Sequence, residues 1–174
     1  MIEIIKQDNN MKKDAAFLII HSKDGFYKER CRVLFSWRFD STIGFVGGEI
    51  DEGETPKEAM IRECFEETGY QLNVSDLNDL VKISEKKTSF GSTNYCFSLE
   101  VDKEVLLAIA KSSHEAKDFN FESCGFNSFM LYDQALENIV KFPFSGTCKE
   151  EFELFLNKIN FKHSSKSLKE LFSN

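Results

Sequence analysis

No two cysteines of this 174-residue chain lie close together in the sequence, although the chain contains five of them. They are odd in number, scattered, and never spaced as C-x-x-C, so the sequence indicates neither a disulfide framework nor a zinc site. We expect them to be buried thiols in a reducing compartment. They are Cys31, Cys64, Cys96, Cys124 and Cys148.

Long hydrophobic runs are absent as well. No stretch of about 18 apolar residues could form a membrane span, and the N-terminal segment MIEIIKQDNNMKK lacks the apolar core of a secretory signal. The sequence also contains no phosphate-binding P-loop and no nucleophile elbow. We therefore expect a cytoplasmic protein with no membrane contact. Its chemistry is expected to use neither a P-loop nor a nucleophile elbow.

Positive charge is not in excess. The formal net charge is −7, and residues 49–67 hold eight acids and two bases, which leaves 21 acids against 20 bases elsewhere. This balance argues against DNA binding through a broad basic face, but it allows local contacts to an anionic substrate. The composition, 41% hydrophobic and 29% charged, predicts one globular domain over residues 1–174. Its core is expected at about 14–160, with 161–174 as a peripheral, loosely ordered tail.

Hydrophobic periodicity predicts a layered α/β domain. A turn is expected around Asp24-Gly25, between the first two strands. The strand candidates are residues 15–21, 31–37, 42–46, 79–84, 94–101 and 122–131, and helices are predicted at 103–118 and 148–159.

A further helix is predicted from Pro56, and its start and end are both marked in the sequence. Thr55 is an N-cap candidate, proline stands at the first helical position, and Glu58 completes a capping box. Gly69 can close the helix in the left-handed conformation. We therefore expect about 13 residues of helix, with Ile61, Cys64 and Phe65 turned toward the core.

Three glutamates share one face of this helix. Glu63, Glu66 and Glu67 are spaced i, i+3, i+4, and Arg62 lies four residues from both Glu58 and Glu66 and is placed to brace them. The Gly47-Gly48 pair can bring a backbone carbonyl close to the same face. Clustered carboxylates repel one another unless a cation is present, and Mg²⁺ prefers oxygen ligands that it shares with phosphate. These residues alone therefore favour a magnesium site, with a solvated acidic face as the alternative.

The wider spacing of residues 47–70, GGEIDEGETPKEAMIRECFEETGY, resembles the Nudix box in every defined position. The fixed positions are Gly48, Glu54, Arg62-Glu63, Glu66-Glu67 and Gly69, and Cys64 and Tyr70 occupy the two apolar positions. On this resemblance the chain is identified as a member of the Nudix family. The resemblance implies the Nudix fold, a mixed β-sheet sandwiched between α-helices.

The resemblance also implies an activity and a role for each box residue. Nudix enzymes hydrolyse a nucleoside diphosphate linked to another moiety, with Mg²⁺ or Mn²⁺ as cofactor. The metal ligands would be the Gly47 carbonyl together with Glu63, Glu66 and Glu67. Arg62 would orient these glutamates, and Glu54, with Gly48, would support the loop or the metal-bound waters. Which glutamate acts as the base varies within the family and stays open.

A finer resemblance concerns the Nudix branch of small nucleolar RNA decapping enzymes and inosine diphosphatases. The similar segments are WRFDSTIGFVGGE (37–49), AKDFNFESCGF (116–126) and FPFSGTCKEEF (142–152). It implies that Arg38 binds phosphate and that Phe45 lies near the base; from the residues alone, a surface cation and a core phenylalanine are the alternatives. The branch commonly has proline where this chain has Val46, and its base-contacting histidine is replaced near Ala15 or Ala16. No inosine preference is therefore predicted.

The substrate stays open at this level. A free nucleotide, an RNA 5′ cap, and ADP-ribose or a nucleotide sugar all contain the diphosphate that the box handles, and selectivity lies elsewhere. A non-catalytic nucleotide-binding module is the alternative from another class, although such a module would not need all three glutamates. The phenylalanine-rich C-terminal half also makes a homodimer an expectation.

Overall fold

The structure is a computed structural model that describes residues 13–23, 30–117, 119 and 123–173. The turn predicted around Asp24-Gly25 and the start of the strand predicted from 122 lie outside these residues. None of the helices in the described ranges has the length and apolar character needed to cross a bilayer.

One seven-stranded mixed sheet organises the molecule, and β1 lies at its centre. Strand β1 runs parallel to β6 on one side, while on the other side β2 pairs antiparallel with its end and β4 with its beginning. Strand β2 also pairs with β3 and β7, and β5 pairs with β6. The strands are β1 Ala15–Lys23, β2 Cys31–Arg38, β3 Ile43–Gly44, β4 Val46–Glu49, β5 Val81–Lys87, β6 Thr93–Glu100 and β7 Ser123–Met130.

In the part of the chain that the structure describes, six helices accompany the sheet. They are α1 Pro56–Thr68, α2 Val74–Asp79, α3 Lys103–Ser112, α4 Asp133–Ile139, α5 Cys148–Lys158 and α6 Leu168–Phe172. Leu18 and Ile20 of β1 belong to a core shared with α1 and α3, while Ile19 belongs to a second core shared with α4, α5 and α6. Because successive strand residues point to opposite faces, both faces of β1 are covered and its sequence is almost continuously apolar. The predicted sheet between helices is confirmed.

The ends of α1 are those that the sequence predicted. The Thr55 side chain accepts from the Glu58 N–H at 3.3 Å, and Glu58 accepts from the Thr55 N–H at 2.8 Å, which completes the capping box. Gly69 has a φ of 70° and its N–H donates to the Phe65 carbonyl at 2.8 Å. One expectation for this helix is wrong: Phe65 is 52% exposed, whereas Cys64 is buried. Phe65 is one residue, about 100°, further round the helix than Cys64, which carries it off the core-facing stripe.

Several predicted boundaries differ from the structure. The 42–46 strand is two short strands with different partners, and the strand expected at 79–84 runs from Val81 to Lys87. Helix α2 comes before it, because Asn73 caps α2 and Asp76 completes a second capping box. Helix α3 ends at Ser112 rather than 118, and α4 was not predicted.

The C-terminal tail is packed rather than loosely ordered. Phe161, Leu168 and Leu171 are buried in the same core as Phe152 and Phe155 of α5. Ser167 caps α6 with a capping box, so the last turn has a local start signal as well as an apolar face. The expectation of a peripheral 161–174 segment is therefore wrong.

All five cysteines are free, four of them buried and Cys124 half-buried. Burial raises the pKa of Cys31, Cys64 and Cys148 to about 12, so these side chains remain protonated thiols near neutral pH. They act as small apolar core residues and not as nucleophiles.

Candidate active site

Two glycines of β4 bring the strand against the acidic helix. A Cβ on Gly48 would lie 2.4 Å from Oε1 of Glu63, and a Cβ on Gly47 would lie 2.2 Å from the Ala16 carbonyl oxygen. Gly47 also has a φ of +146°, which disfavours other residues. Its N–H donates to Oε2 of Glu67 at 2.8 Å. Glu63 and Glu67 are therefore held directly against the strand because it carries no side chain there.

Arg62 ties the acidic groups together. Its Nη1 donates to Oε1 of Glu63 at 2.7 Å and to Oε2 of Glu66 at 3.2 Å. Its Nη2 donates to the Glu49 carbonyl at 2.8 Å and to Oε2 of Glu54 at 3.0 Å, and Nε donates to Oε1 of Glu54 at 3.1 Å. This planar, five-donor group suits several oxygen acceptors at once, as a lysine would not. The geometry agrees with the orienting role expected for Arg62.

The cations around this cluster favour ionised carboxylates. Hydrogen bonding from Arg62 lowers the pKa of Glu54, and hydrogen bonding from Lys117 lowers the pKa of Glu66. The second contact joins Nζ of Lys117 to Oε1 of Glu66 at 2.6 Å. The contacts of Arg62 with the glutamates, above all with Glu54, raise the pKa of Arg62 above its ordinary value. Glu54 and Glu66 are thus anionic near neutral pH.

An open cleft of about 750 Å³ lies beside the cluster, and we call it the catalytic cleft. Glu63 and Glu66 line it together with Arg38, so the structure brings the predicted phosphate-binding arginine to the acidic helix. Glu67 is 3% exposed and lies behind this surface. The other lining residues are Ala15, Phe17, Gly47, Gly48, Glu49, Arg62, Lys117 and Ser145.

Phe45 is not part of this lining. Its side chain is 2% exposed, and its ring centroid is 5.3 Å from that of Phe35 and 6.1 Å from that of Phe152. Because Phe45 lies between β3 and β4, where the chain changes pairing partners, strand alternation did not show which way it points. The structure places it in the core, so the expected contact with the base has no geometric support. Phe17 is the aromatic residue that lines the cleft.

Two polar residues of the cleft, Lys117 and Ser145, were not predicted from the sequence. Lys117 precedes a stretch only partly described, and Ser145 lies in the turn before α5. Neither belongs to the box, and both come from segments distant in sequence from α1. The only available signals were the similar segments around 116–126 and 142–152, which contain them.

The carboxylates have the donor chemistry of a site for a hard cation. In the described part of the chain, no three His, Cys, Asp or Glu side chains are arranged to hold a metal ion. Glu63 and Glu66 nevertheless lie side by side at the cleft, since both accept from Nη1 of Arg62. Carboxylate oxygens are the donors that Mg²⁺ prefers, so the side chains that Arg62 orients fit a divalent cation by their chemistry.

Two solved structures of Nudix proteins have a similar fold. The NUDIX domain of Shewanella oneidensis NrtR, in complex with ADP ribose, matches with a TM-score of 0.58 and 13% identity, over 85% of this chain and 88% of that one. A MutT/nudix family protein from Enterococcus faecalis matches with a TM-score of 0.61 and 10% identity, over 92% of this chain and 67% of that one. At these identities the likeness defines the class of fold alone.

The family is shown by the sequence comparisons. A family model described as Nudt16-like, U8 snoRNA-decapping enzyme-like, matches residues 15–159. The chain belongs to this Nudt16-like family of Nudix hydrolases. The Nudix prediction and the finer resemblance are thereby confirmed.

Two curated relatives are similar to the chain. A U8 snoRNA-decapping enzyme from Homalodisca vitripennis is 33% identical over 117 residues, which are 62% of this chain and 58% of that protein. An RNA pyrophosphohydrolase from Sulfurovum sp. (strain NBC37-1) is 27% identical over 144 residues, which are 79% of this chain and 88% of that protein. The chain thus matches little more than half the length of the insect relative.

Proposed function

We propose that the chain is a pyrophosphohydrolase that depends on a divalent metal ion. It cleaves the diphosphate linkage of a nucleoside diphosphate derivative and releases a nucleoside monophosphate. The observation that carries the proposal is that Glu63 and Glu66, held side by side by Nη1 of Arg62, line the same open cleft as Arg38 and Lys117. Anionic and cationic side chains on one cleft provide for both a metal ion and phosphate oxygens.

Each part of the cleft has a role in this reaction. Arg38 and Lys117 bind phosphate oxygens by charge-assisted hydrogen bonds, which place the diphosphate beside α1. Glu63, Glu66 and Glu67, with the Gly47 carbonyl, would hold Mg²⁺ or Mn²⁺. When bound, that ion polarises the phosphorus centre and lowers the pKa of a bound water.

The protein's own side chains position the other groups. Arg62 fixes the rotamers of Glu63 and Glu66, and Glu54 holds the Arg62 guanidinium from the opposite side. A carboxylate of the cluster accepts the proton of the attacking water. Both Glu63 and Glu66 line the cleft and are candidates for this role, whereas Glu67 accepts from Gly47 behind it.

The 5′ end of an RNA is the substrate class that the relatives favour. Both curated relatives have names that refer to RNA, one as a snoRNA-decapping enzyme and one as an RNA pyrophosphohydrolase, and the matching family is described by a decapping enzyme. ADP-ribose is a second candidate, because the NrtR NUDIX domain is in complex with it. A non-catalytic binding module is disfavoured, since it would not need the full set of oriented carboxylates.

Product analysis by liquid chromatography tests the proposal. The panel contains inosine, guanosine and adenosine di- and triphosphates, ADP-ribose, dinucleoside polyphosphates and capped RNA, each with Mg²⁺, Mn²⁺ or chelator. We expect metal-dependent release of a monophosphate from at least one member, and a loss of at least about 100-fold in kcat for Glu66→Gln. Glu104→Gln, an exposed acid on α3, is the matched control and should keep full activity. Nucleotide binding without turnover of any member would contradict the proposal.

A further inference from the structure

A second cleft adjoins the catalytic cleft, and we call it the hairpin cleft. It has a volume of about 580 Å³ and lies between the tip of the β5–β6 hairpin, the residues at the start of β1 and the N-terminal end of α5. Ala15 and Glu49 line both clefts. Ser145 lines the catalytic cleft, and the adjacent Gly146 lines the hairpin cleft. The two clefts therefore meet along two boundaries, and a ligand can extend from one to the other.

Three lysines line the hairpin cleft. Nζ of Lys13 lies 3.3 Å from Asp51 and 3.6 Å from Glu49, and Nζ of Lys86 lies 2.7 Å from Glu150, while Lys87 is exposed. Glu49 and Glu150 line the same cleft, and all three ion pairs are largely open to solvent. Such pairs contribute about 0–1 kcal/mol, so an ammonium group can exchange a carboxylate for a phosphate at little cost. The cleft can therefore accept a polyanion.

An aromatic side chain stands at the edge of this basic cleft. Phe90 is 67% exposed, more than any other large hydrophobic residue that the structure describes. The turn that carries it is ordered by local bonds: the Thr88 N–H donates to the Ser92 carbonyl at 2.8 Å, and the Phe90 N–H donates to the Thr88 hydroxyl at 3.3 Å. An exposed ring on a fixed turn beside lysines is the combination with which proteins bind single-stranded nucleic acid, through base stacking and phosphate contacts.

The floor of the cleft is polar. Nδ2 of Asn94 donates to Oγ1 of Thr147 at 3.2 Å, and this hydroxyl donates to Oε1 of Glu151 at 3.0 Å. Glu151 is fully buried, and its Oε2 has no hydrogen-bond partner among the described residues. Asn94 and Thr147 line the cleft, so amide and hydroxyl groups are available there to ribose hydroxyls or base edges. The burial of Glu151 fixes Thr147 and thereby orients this surface.

We propose that the hairpin cleft binds the first nucleotides of an RNA chain whose 5′ diphosphate linkage lies in the catalytic cleft. Phe90 stacks on a base and Lys87 pairs with a backbone phosphate, while Asn94 and Thr147 contact a ribose or a base edge. The occupant is RNA because lysines suit its repeating phosphates, Phe90 suits a base, and Asn94 and Thr147 suit ribose hydroxyls, in a cleft that continues from the catalytic cleft. The proposal rests on the proposed function and narrows its substrate class.

Fluorescence anisotropy tests this proposal without turnover. A 3′-labelled RNA octamer with a 5′ triphosphate is titrated with the Glu66→Gln protein in chelator, and the free nucleoside triphosphate serves as the competitor. Phe90→Ala should lower the ratio of RNA affinity to mononucleotide affinity by about 5- to 100-fold, the value of one stacked base. Lys87→Ala should lower the same ratio and reduce the salt dependence of RNA binding by about one phosphate contact.

Two variants on other surfaces are the matched controls. Phe39→Ala removes another exposed ring, and Lys82→Ala removes another lysine of β5; neither residue lines the two clefts. Both should keep the wild-type affinity ratio. An unchanged ratio in Phe90→Ala and Lys87→Ala, or an equal loss in the controls, overturns the proposal.

Kinetics of the forms with intact Glu66 separate the two proposals. If free nucleotides are hydrolysed but Phe90→Ala does not raise the KM for RNA relative to that for the mononucleotide, the hairpin-cleft proposal fails and the proposed function stands. If nothing is hydrolysed although the anisotropy ratios change as expected, the proposed function fails and RNA binding in the hairpin cleft stands.

Discussion

The absence of a side chain at Gly48 allows β4 to lie close to Glu63 of α1. A methyl group on Gly48 would lie 2.4 Å from Oε1 of Glu63 and 2.7 Å from its carboxyl carbon. Gly48 does not have a positive φ, so backbone strain is not part of the argument. Its role is to leave room for one carboxylate.

Replacement of Gly48 by alanine should therefore affect catalysis more than stability. We expect Gly48→Ala to lower kcat by about 10- to 100-fold, because it displaces Glu63 by an ångström or more. Steady-state kinetics and thermal unfolding on the same samples provide the measurement. Gly53→Ala is the control: its φ is +84° but no atom lies within 4 Å of the added Cβ, so stability falls slightly and kcat is retained. Equal kcat values for the two variants would contradict this account.

Arg62 shows how one residue can serve several neighbours. It donates to three glutamate side chains and to a backbone carbonyl, which links α1, β4 and the loop between them. All five of its hydrogen bonds come from one rigid group, so the position of one carboxylate depends on the others. This explains why an arginine next to the glutamates is part of the motif.

Helix α5 contains a buried carboxyl group that makes stability depend on pH. Burial raises the pKa of Glu151 above its ordinary value of 4.5. Above that value the unfolded chain loses this proton while the folded chain still keeps it, so folding becomes less favourable as pH rises. Below it, both states are protonated and the penalty is absent.

Glu151→Gln should consequently be more stable than the wild type at neutral pH. The amide oxygen can still accept from Thr147, and the cost of burying a carboxylate is removed. We expect the Tm of the variant to exceed that of the wild type by about a few degrees at pH 7, with the difference disappearing near pH 4. Thermal unfolding between pH 4 and 8 measures it. A difference that does not change with pH would show that ionisation of Glu151 is not the cause.

Helix α6 is short, but its packing makes it part of the fold. Leu171 is 4% exposed, within the core that contains Phe152 and Phe155. Leu171→Ala should lower the free energy of unfolding by about 2–4 kcal/mol, the usual cost of a buried leucine truncation. Urea denaturation measures it, with Lys169→Ala on the exposed side of the same helix as the control. A loss within about 0.5 kcal/mol of the control would support a peripheral tail instead.

At the scale of the whole molecule, the net charge of −7 is concentrated near the catalytic cleft, since eight of the 29 acids lie between residues 49 and 67. Divalent cations that bind there stabilise the folded state, because the unfolded chain does not assemble the cluster. At 100 times the dissociation constant this amounts to about 2.7 kcal/mol.

We expect Mg²⁺ to raise the Tm of the wild type more than NaCl does at equal ionic strength. The shift should be smaller in Glu66→Gln, because one oxygen ligand is lost, and unchanged in Glu104→Gln. Differential scanning fluorimetry with a Mg²⁺ titration measures these shifts. Equal shifts in all three proteins would indicate general screening of charge and would contradict a specific site.

The homodimer expected from the phenylalanine-rich C-terminal half remains a prediction. Phe90 and Phe142 are exposed, whereas seven rings in β7 and beyond it are buried in the core or packed against it. These residues are Phe126, Phe129, Phe144, Phe152, Phe155, Phe161 and Phe172.

Helix α1 and the group of residues it carries could be predicted from local sequence signals. Its start at Pro56, its end at Gly69 and the shared face of Glu63 and Glu66 depend on residues within four positions of one another, so local signals are sufficient. The strands of the central sheet were largely predictable for a similar reason, since both faces of β1 are covered and its apolar run is continuous.

The residues that meet α1 across the catalytic cleft could not be predicted, because they come from segments distant in the chain. Phe45 enters the core and Phe17 lines the cleft, because the side on which a strand residue lies depends on pairing with distant segments. Lys117 and Ser145 line the cleft from the segments after α3 and before α5. Nothing near these two residues in the sequence indicates that they lie beside α1. The burial of α6 has the same origin. The sequence of a five-residue helix does not indicate which core its apolar residues will pack against, and here that core is the one around α5.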